Sequence, residues 1–240
     1  MSLKDFVLIR VRAGKVHGLL GKYYAWKDNP PEEITKLPVL DERIDERINF
    51  VWIDSPTPKV PAENFAVAWK GYLIAPMEGD YIFFIETDDG ARLWIDSKLV
   101  IDSWWDQPPT VHHSPRVRLT PGYHSIKLYF YNKETFAVIR LGWIRPDGKA
   151  EIIPSTNLAV KLSNEIIVKG LPEDYTIELW AGEKIGSAKV VNGIAKIDAN
   201  NILQPIDGYF KVHDANGSIV YTSPIIRDIW GGDEYEVAEV

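Results

Sequence analysis

The chain has 240 residues, 45% of them hydrophobic and 25% charged, with a net charge of -7. That balance, with no basic cluster beyond pairs such as Arg10 and Arg12, excludes a nucleic-acid partner, which needs a basic face to displace phosphate counterions. The absence of cysteine excludes disulfides, thiolate metal sites and cysteine nucleophiles, and no apolar run is long enough to insert into a bilayer.

The N-terminus, Met1-Ser2-Leu3-Lys4-Asp5-Phe6-Val7-Leu8-Ile9-Arg10, has no long apolar stretch and no small-residue cleavage site, so no secretion signal is expected. The chain then reaches Asp41 to Asn49, where Asp-Glu-Arg-Ile repeats with the spacing that pairs opposite charges on a helical turn. A solvated connector with one short turn is the preferred reading of that segment. Beyond it, period-two alternation predicts strands over 65–73, 81–86, 92–95, 98–102, 117–119, 125–131 and 136–143. Turn residues separate them at Gly79-Asp80, Asp89-Gly90, Pro121-Gly122 and Asp147-Gly148. His112 and His113 are neighbours that would point to opposite sides of a strand, and an exposed loop is expected there.

The pattern resets at Leu158 to Asn164, which reads as a link. A second strand series follows over 165–169, 175–180, 187–191, 194–197, 209–213 and 218–222, with Asn192-Gly193 and Asn216-Gly217 as hairpin turns. Roughly six short strands in about 75 residues suit a small β-sandwich of immunoglobulin-like size. The tail from Asp228 to Tyr235 reads as a docking strand or a mobile end. Asp198, Asp207, Asp214 and Asp233 sit at turn positions that suit hydrogen bonds to their own backbone. The expected division is therefore residues 1–160 and residues 164–240, the second a spacer, docking platform or homo- or hetero-assembly surface.

No nucleophile elbow, phosphate loop, dinucleotide fingerprint or His-Glu-x-x-His is present, and no carboxylate pair is singled out for glycoside hydrolysis, so a non-enzymatic protein is expected. One stretch carries chemistry: Thr87-Asp88-Asp89-Gly90-Ala91-Arg92-Leu93-Trp94-Ile95-Asp96, at the end of a predicted strand. Adjacent carboxylates repel unless a cation or donors neutralise them, and calcium accepts carboxylate, amide and carbonyl oxygens. For both carboxylates to reach one ion the Asp88–Asp89 peptide would have to be cis. A plain Asp-Gly hairpin turn is the simpler reading of the spacing alone.

Residues 18–158 resemble the PA14 domain, the family named for the N-terminal fragment of anthrax protective antigen. The resemblance rests on Gly18-Leu19-Leu20-Gly21-Lys22-Tyr23-Tyr24, Arg47-Ile48-Asn49-Phe50-Val51-Trp52, Asn64 to Leu73, the Asp-Asp-Gly signature, Leu99-Val100-Ile101-Asp102, Gly122 to Phe130 and Leu141-Gly142-Trp143, in that order. It implies an all-β chain whose first domain is a jelly-roll-like β-sandwich. In the members that resemble flocculins and epithelial adhesins, an Asp-Asp pair joined by a cis peptide binds calcium at the tip of the sandwich. An Asn and backbone carbonyls of a later loop add ligands, and sugar hydroxyls complete the coordination. Carried over, the metal site is Asp88, Asp89 and Asn132, with carbonyls from around Glu134 and Phe136. Trp105, Asp106 and Lys133 are the candidate ligand contacts, with Gln107, His112 and His113 in the flanking loop and Trp104 expected in the core.

The resemblance implies a Ca2+-dependent lectin or adhesin whose partner is a glycan or glycoprotein, placed outside the cell, on a cell surface or on a virion. Two alternatives stand beside it: a structural or assembly module in which a metal only stabilises the loops, and an accessory module of a carbohydrate-active enzyme. The chain lacks the cysteines and the long loop insertions of the adhesins.

Overall fold

The computed structural model describes residues 6–134 and 136–239. It is all-β apart from two single-turn segments, Ile34–Lys36 and Ser155–Asn157. Two compact units are present: His17–Val160, and a second comprising Met1–Val16 with Lys161–Val240.

In His17–Val160 two sheets face each other. One carries Phe65–Ala75 at its centre, paired along its length with Gly122–Asn132, which pairs in turn with Ala91–Ile95 and then Lys98–Ser103. On the other side of Phe65–Ala75 lie Leu19–Ala25 and Leu158–Lys161, and Asp41–Asp45 pairs outside Leu19–Ala25. The facing sheet has Gly79–Asp88 and Ala137–Ile144 as neighbours, flanked by Thr110–His113, Asn49–Trp52 and Ala150–Ile152. Alternation explains the packing. Tyr81, Phe83 and Ile85 of one sheet meet Trp69, Leu93 and Phe130 of the other in one fully buried core. The opposite face of the first sheet is also covered: Trp26, Ile34 and Leu37 pack on Tyr129 and Tyr131.

The charged segment from Asp41 is neither helix nor solvated connector. Asp41–Asp45 is a strand, and its alternate residues Arg43 and Asp45 turn inward together. Asp45 is buried and accepts hydrogen bonds from Tyr23 Oη (2.6 Å), Trp69 Nε1 (2.7 Å) and Arg43 Nε (2.7 Å). Gly21 makes room for this cluster: a Cβ there would stand 2.6 Å from Asp45 Oδ2. A buried carboxylate needs such a set of donors, and the i, i+4 charge repeat conceals it.

The second unit also has two sheets. One runs Phe6–Arg12, Glu234–Glu239, Glu165–Lys169, Ile194–Asp198. The other runs Glu183–Lys189, Thr176–Ala181, Ile206–His213, Ile219–Thr222, with Ile226–Ile229 also on Ile206–His213. Its core includes Leu8, Ile166, Val168, Leu179, Phe210, Trp230 and Tyr235. The division expected from sequence is corrected at the N-terminus. Phe6–Arg12 pairs antiparallel with Glu234–Glu239, and Phe6 and Leu8 are buried, so this strand completes the second unit. The tail is a docking strand: Glu234–Glu239 also pairs, parallel, with Glu165–Lys169.

Asp233 keeps the local backbone bond expected of it, from Trp230 N, and does more. Its side chain is buried, accepting from Gly14 N (2.6 Å), Trp230 N (3.2 Å) and Tyr235 Oη (2.9 Å), with Arg10 at 3.2 Å. Asp198 and Asp214 also cap local backbone, at Asn200 N and at Asn216 N and Ser218 N. Asp207 instead accepts from the distant Asp228 N.

Candidate functional site

Gly79–Asp88 belongs to one sheet of the first unit and Ala91–Ile95 to the other, so the Asp89-Gly90 turn is where the chain crosses between sheets. The Asp88–Asp89 peptide is cis. The turn is tied to the strand beside it: Asp89 N donates to Tyr131 O (3.2 Å) and Tyr131 N to Gly90 O (2.9 Å). Thr87 Oγ1, fully buried, donates to Asp89 O (2.9 Å).

The two carboxylates are unequal. Asp89 Oδ1 accepts from Gln107 N (3.2 Å) and Oδ2 from Lys133 N (2.8 Å). Burial pushes its pKa up, and those two backbone donors pull it part of the way back. No donor among the described residues reaches the Asp88 carboxylate. Burial, reinforced by the neighbouring Asp89 charge, pushes Asp88 up to about 6. Both residues are only 8% exposed.

Asn132 lies between two residues that bond the turn, Tyr131 and Lys133. Its Nδ2 donates to Ala62 O (3.3 Å), whereas its Oδ1 is buried and has no partner among the described residues. A buried amide oxygen without a donor is costly. Here it accompanies a carboxylate without a donor. Among the described residues no group of three or more His, Asp or Glu converges, so the negative charge of any cation site here comes from the aspartate pair and the remaining donors are neutral oxygens. The donor set is thus hard, oxygen-only and incompletely satisfied, which fits calcium rather than a thiolate- or imidazole-seeking metal.

Asp88 and Asp89 line an open cleft of about 460 Å³ together with Asp106, Gln107, Lys133, Glu134 and Phe136. Six of the eight residues expected at the site from sequence therefore share one cleft, and Asn132 is placed beside it by the backbone. Asp106 and Lys133 are ion-paired (2.7 Å), and Tyr131 Oη donates to Asp106 (2.8 Å). Those hydrogen bonds, from Lys133 first and Tyr131 second, hold Asp106 below the usual carboxylate range. Glu134 and Phe136 are exposed. Trp105 stands outside the lining, half exposed, with its ring edge-on to His112 (5.7 Å). Trp104 packs on Tyr131 (4.8 Å) under the Arg92 guanidinium, at the partly buried edge of the second core.

Gln107 is a residue whose role sequence reasoning missed. Its Nε2 donates to Asp89 O (3.2 Å) and Ser103 O (3.3 Å), which leaves Oε1 to accept from His112 Nε2 (2.8 Å). His112 is consequently a strand residue of Thr110–His113 with a bonded ring, not part of an exposed loop. No local motif marks Gln107; its pairing depends on Thr110–His113 aligning with the end of Gly79–Asp88, where Thr110 faces Thr87.

A family model described as the PA14 domain matches residues 15–157. The chain belongs to the PA14 domain family. Over 150 residues it is 34% identical to the anti-sigma-I factor RsgI3 of Acetivibrio thermocellus, a match covering 62% of this chain and 22% of that protein. The chain thus spans about a fifth of the length of that curated relative. Among solved structures, an anti-sigma factor domain-containing protein aligns with TM-score 0.54 and 28% identity, covering 72% of this chain and 58% of that one. A PA14 sugar-binding domain from an RTX adhesin aligns with TM-score 0.54 and 19% identity, covering 60% of this chain and 99% of that one. The PA14 fold of His17–Val160 is therefore shared with binding modules, and among the described residues no helix is long and apolar enough to cross a membrane.

Proposed function

We propose that the PA14 unit is a non-catalytic, calcium-dependent carbohydrate-binding module. The observation that carries the reading is the buried, unpartnered Oδ1 of Asn132 next to an open cleft lined by the Asp88 and Asp89 carboxylates, the first of them without a protein donor among the described residues. In this reading Asp88, Asp89 and Asn132 hold the ion, with backbone carbonyls around Glu134 and Phe136. Bound calcium would supply direct ligation of sugar hydroxyls. The chain's own residues do the rest. Gln107 N and Lys133 N fix the Asp89 carboxylate so that it does not swing out of the turn. The Asp106–Lys133 pair puts one acceptor and one donor on the cleft wall for the remaining hydroxyls. The exposed Trp105 ring offers a flat apolar surface of the kind on which a sugar face packs.

The RTX adhesin domain, described as sugar-binding, supports the ligand class, and the anti-sigma relatives support a place as one segment of a longer regulatory protein. In such a protein the unit would serve as the ligand-sensing part outside the cell. Isothermal titration of chelator-stripped protein with calcium chloride tests the metal site. Saturable binding in the native chain and none in the Asp88→Asn/Asp89→Asn variant is the expected result. Equal binding by both removes the site from these residues.

A further inference from the structure

The second unit carries a groove that the PA14 reading does not use. Thr176–Ala181 is central in its sheet and alternates: Ile177 and Leu179 enter the core, while Thr176, Glu178 and Trp180 face outward. The register completes a grid on that outer face. Thr176 lies between Lys189 and His213, Glu178 between Ser187 and Lys211, and Trp180 between Lys184 and Tyr209. Over part of the grid runs an open groove of about 560 Å³, lined by Asp174, Thr176, Glu178, Lys189, His213 and Asp214.

Its polar groups are organised. Glu178, with a side chain 15% exposed, accepts from Trp180 Nε1 (2.8 Å) and Lys184 Nζ (3.3 Å). His213 Nε2 lies 3.3 Å from the same carboxylate, yet it is buried and without an aligned hydrogen bond. Burial opposes the Glu178 charge, but the Trp180 and Lys184 donors, with His213 close by, outweigh it and hold the carboxyl below the usual range. Lys211 Nζ sits 4.1 Å from the Trp180 ring centre and 5.8 Å from that of Tyr209, so the same sheet face carries, outside the groove lining and next to Glu178, an aromatic pair bridged by an ammonium.

We propose that this outer face is a second, metal-independent binding site for neutral glycan chains. The chemistry selects that class. Hydroxyls are donors and acceptors at once, and the groove presents both: Lys189, Lys184 and Thr176 on one hand, Glu178 and Asp174 on the other. Lys189 pairs with Asp174 (2.8 Å) and Lys184 with Glu178, and Asp214 and Lys211 add one charge of each sign, so the face carries no excess of either. The lining is too polar for an apolar ligand. The rings of Trp180 and Tyr209 suit the apolar C–H faces of pyranoses. An open groove along a sheet face admits a chain that continues past both ends.

The test uses the full chain in native affinity gels cast with barley β-glucan, arabinoxylan or galactomannan, with polygalacturonate as the charged control, all in chelator. Four proteins are run: native, Asp88→Asn/Asp89→Asn, Trp180→Ala and Tyr209→Ala, each checked for an unchanged unfolding transition. The expected result is retardation by at least one neutral polymer, kept in the aspartate variant and weakened about 10-fold in dissociation constant in both aromatic variants. Should Trp180→Ala fail to fold, His213→Ala replaces it. Retardation by no neutral polymer, by polygalacturonate alone, or with equal strength in the folded groove variants overturns the proposal. Because every gel runs in chelator, the groove is read without the calcium site, whose failure shows instead in the calcium titration of native protein against the aspartate variant.

Discussion

Gly90 lies against the ring of Tyr131 so closely that a Cβ on Gly90 would overlap Cε1 of the ring. The glycine of the Asp-Asp-Gly signature is thus a steric requirement: it lets the crossing between sheets press on the strand that carries Asn132. Tyr131 is itself packed edge-on by Trp26 (6.3 Å) and Trp104 (4.8 Å), which leaves the ring little room to yield. Gly90→Ala should cost about 1–3 kcal/mol of unfolding free energy by overpacking. Urea unfolding of native protein and variant checks it. Tyr131→Phe, which keeps the ring and loses one hydrogen bond to Asp106, should cost about 1 kcal/mol.

Asp88 should make calcium-free stability depend on pH. Its folded-state value is raised to about 6 by burial and the Asp89 charge. The folded protein therefore binds this proton more tightly than the unfolded chain does. Stability is unaffected below the unfolded value near 4, falls as pH rises between the two values, and stays reduced above about 6. Asp88→Asn, which cannot ionise, should be more stable than native protein at pH 7 in chelator by about 1–2 kcal/mol, with the gap closing at pH 4. Paired urea titrations at the two pH values measure it, and a gap that widens on acidification would contradict the assignment.

Asp45 should be among the most sensitive residues of the PA14 unit. Its carboxylate collects Tyr23, Trp69 and Arg43, and the Arg43 guanidinium also lies over the Tyr23 ring (4.8 Å). Removing one partner of a buried charged set leaves the others uncompensated. Asp45→Ala should lose about 3–5 kcal/mol, visible as a large drop in denaturation midpoint.

How far the chain could be read in advance depends on how local each feature's cause is. Val117–Leu119 and Glu165–Lys169 match the expected bounds because alternation and adjacent turn residues define them without reference to a partner. The Asp88–Asp89 cluster was legible through the order of blocks resembling the PA14 family. Phe6–Arg12 was not, since its partner Glu234–Glu239 lies at the opposite end of the sequence. Asp41–Asp45 failed for another reason: a charge repeat with helical spacing overlies a period-two pattern, and burial of Asp45 by distant donors decided between them. Gln107 and Tyr131 have no sequence signature, because their roles exist only once two sheets meet.

The pairing of Phe6–Arg12 with Glu234–Glu239 predicts the behaviour of fragments. Residues 15–161 should fold alone, since they hold every strand of the first unit's two sheets. Residues 161–240 should not, because without the N-terminal strand Tyr235 and Asp233 lose Arg10 and the Gly14 amide. Circular dichroism and amide dispersion of the two fragments give the comparison, and a synthetic peptide of residues 1–16 added in excess should restore structure to the second.

A glycan array probed with the full chain in calcium and in chelator, alongside the Asp88→Asn/Asp89→Asn variant, tests the central claim most directly. Glycan signals are expected with calcium in the native protein, lost both in chelator and in the variant. Signals of equal strength in all three conditions, or no signal with calcium from a protein that titration shows to be loaded, would contradict it.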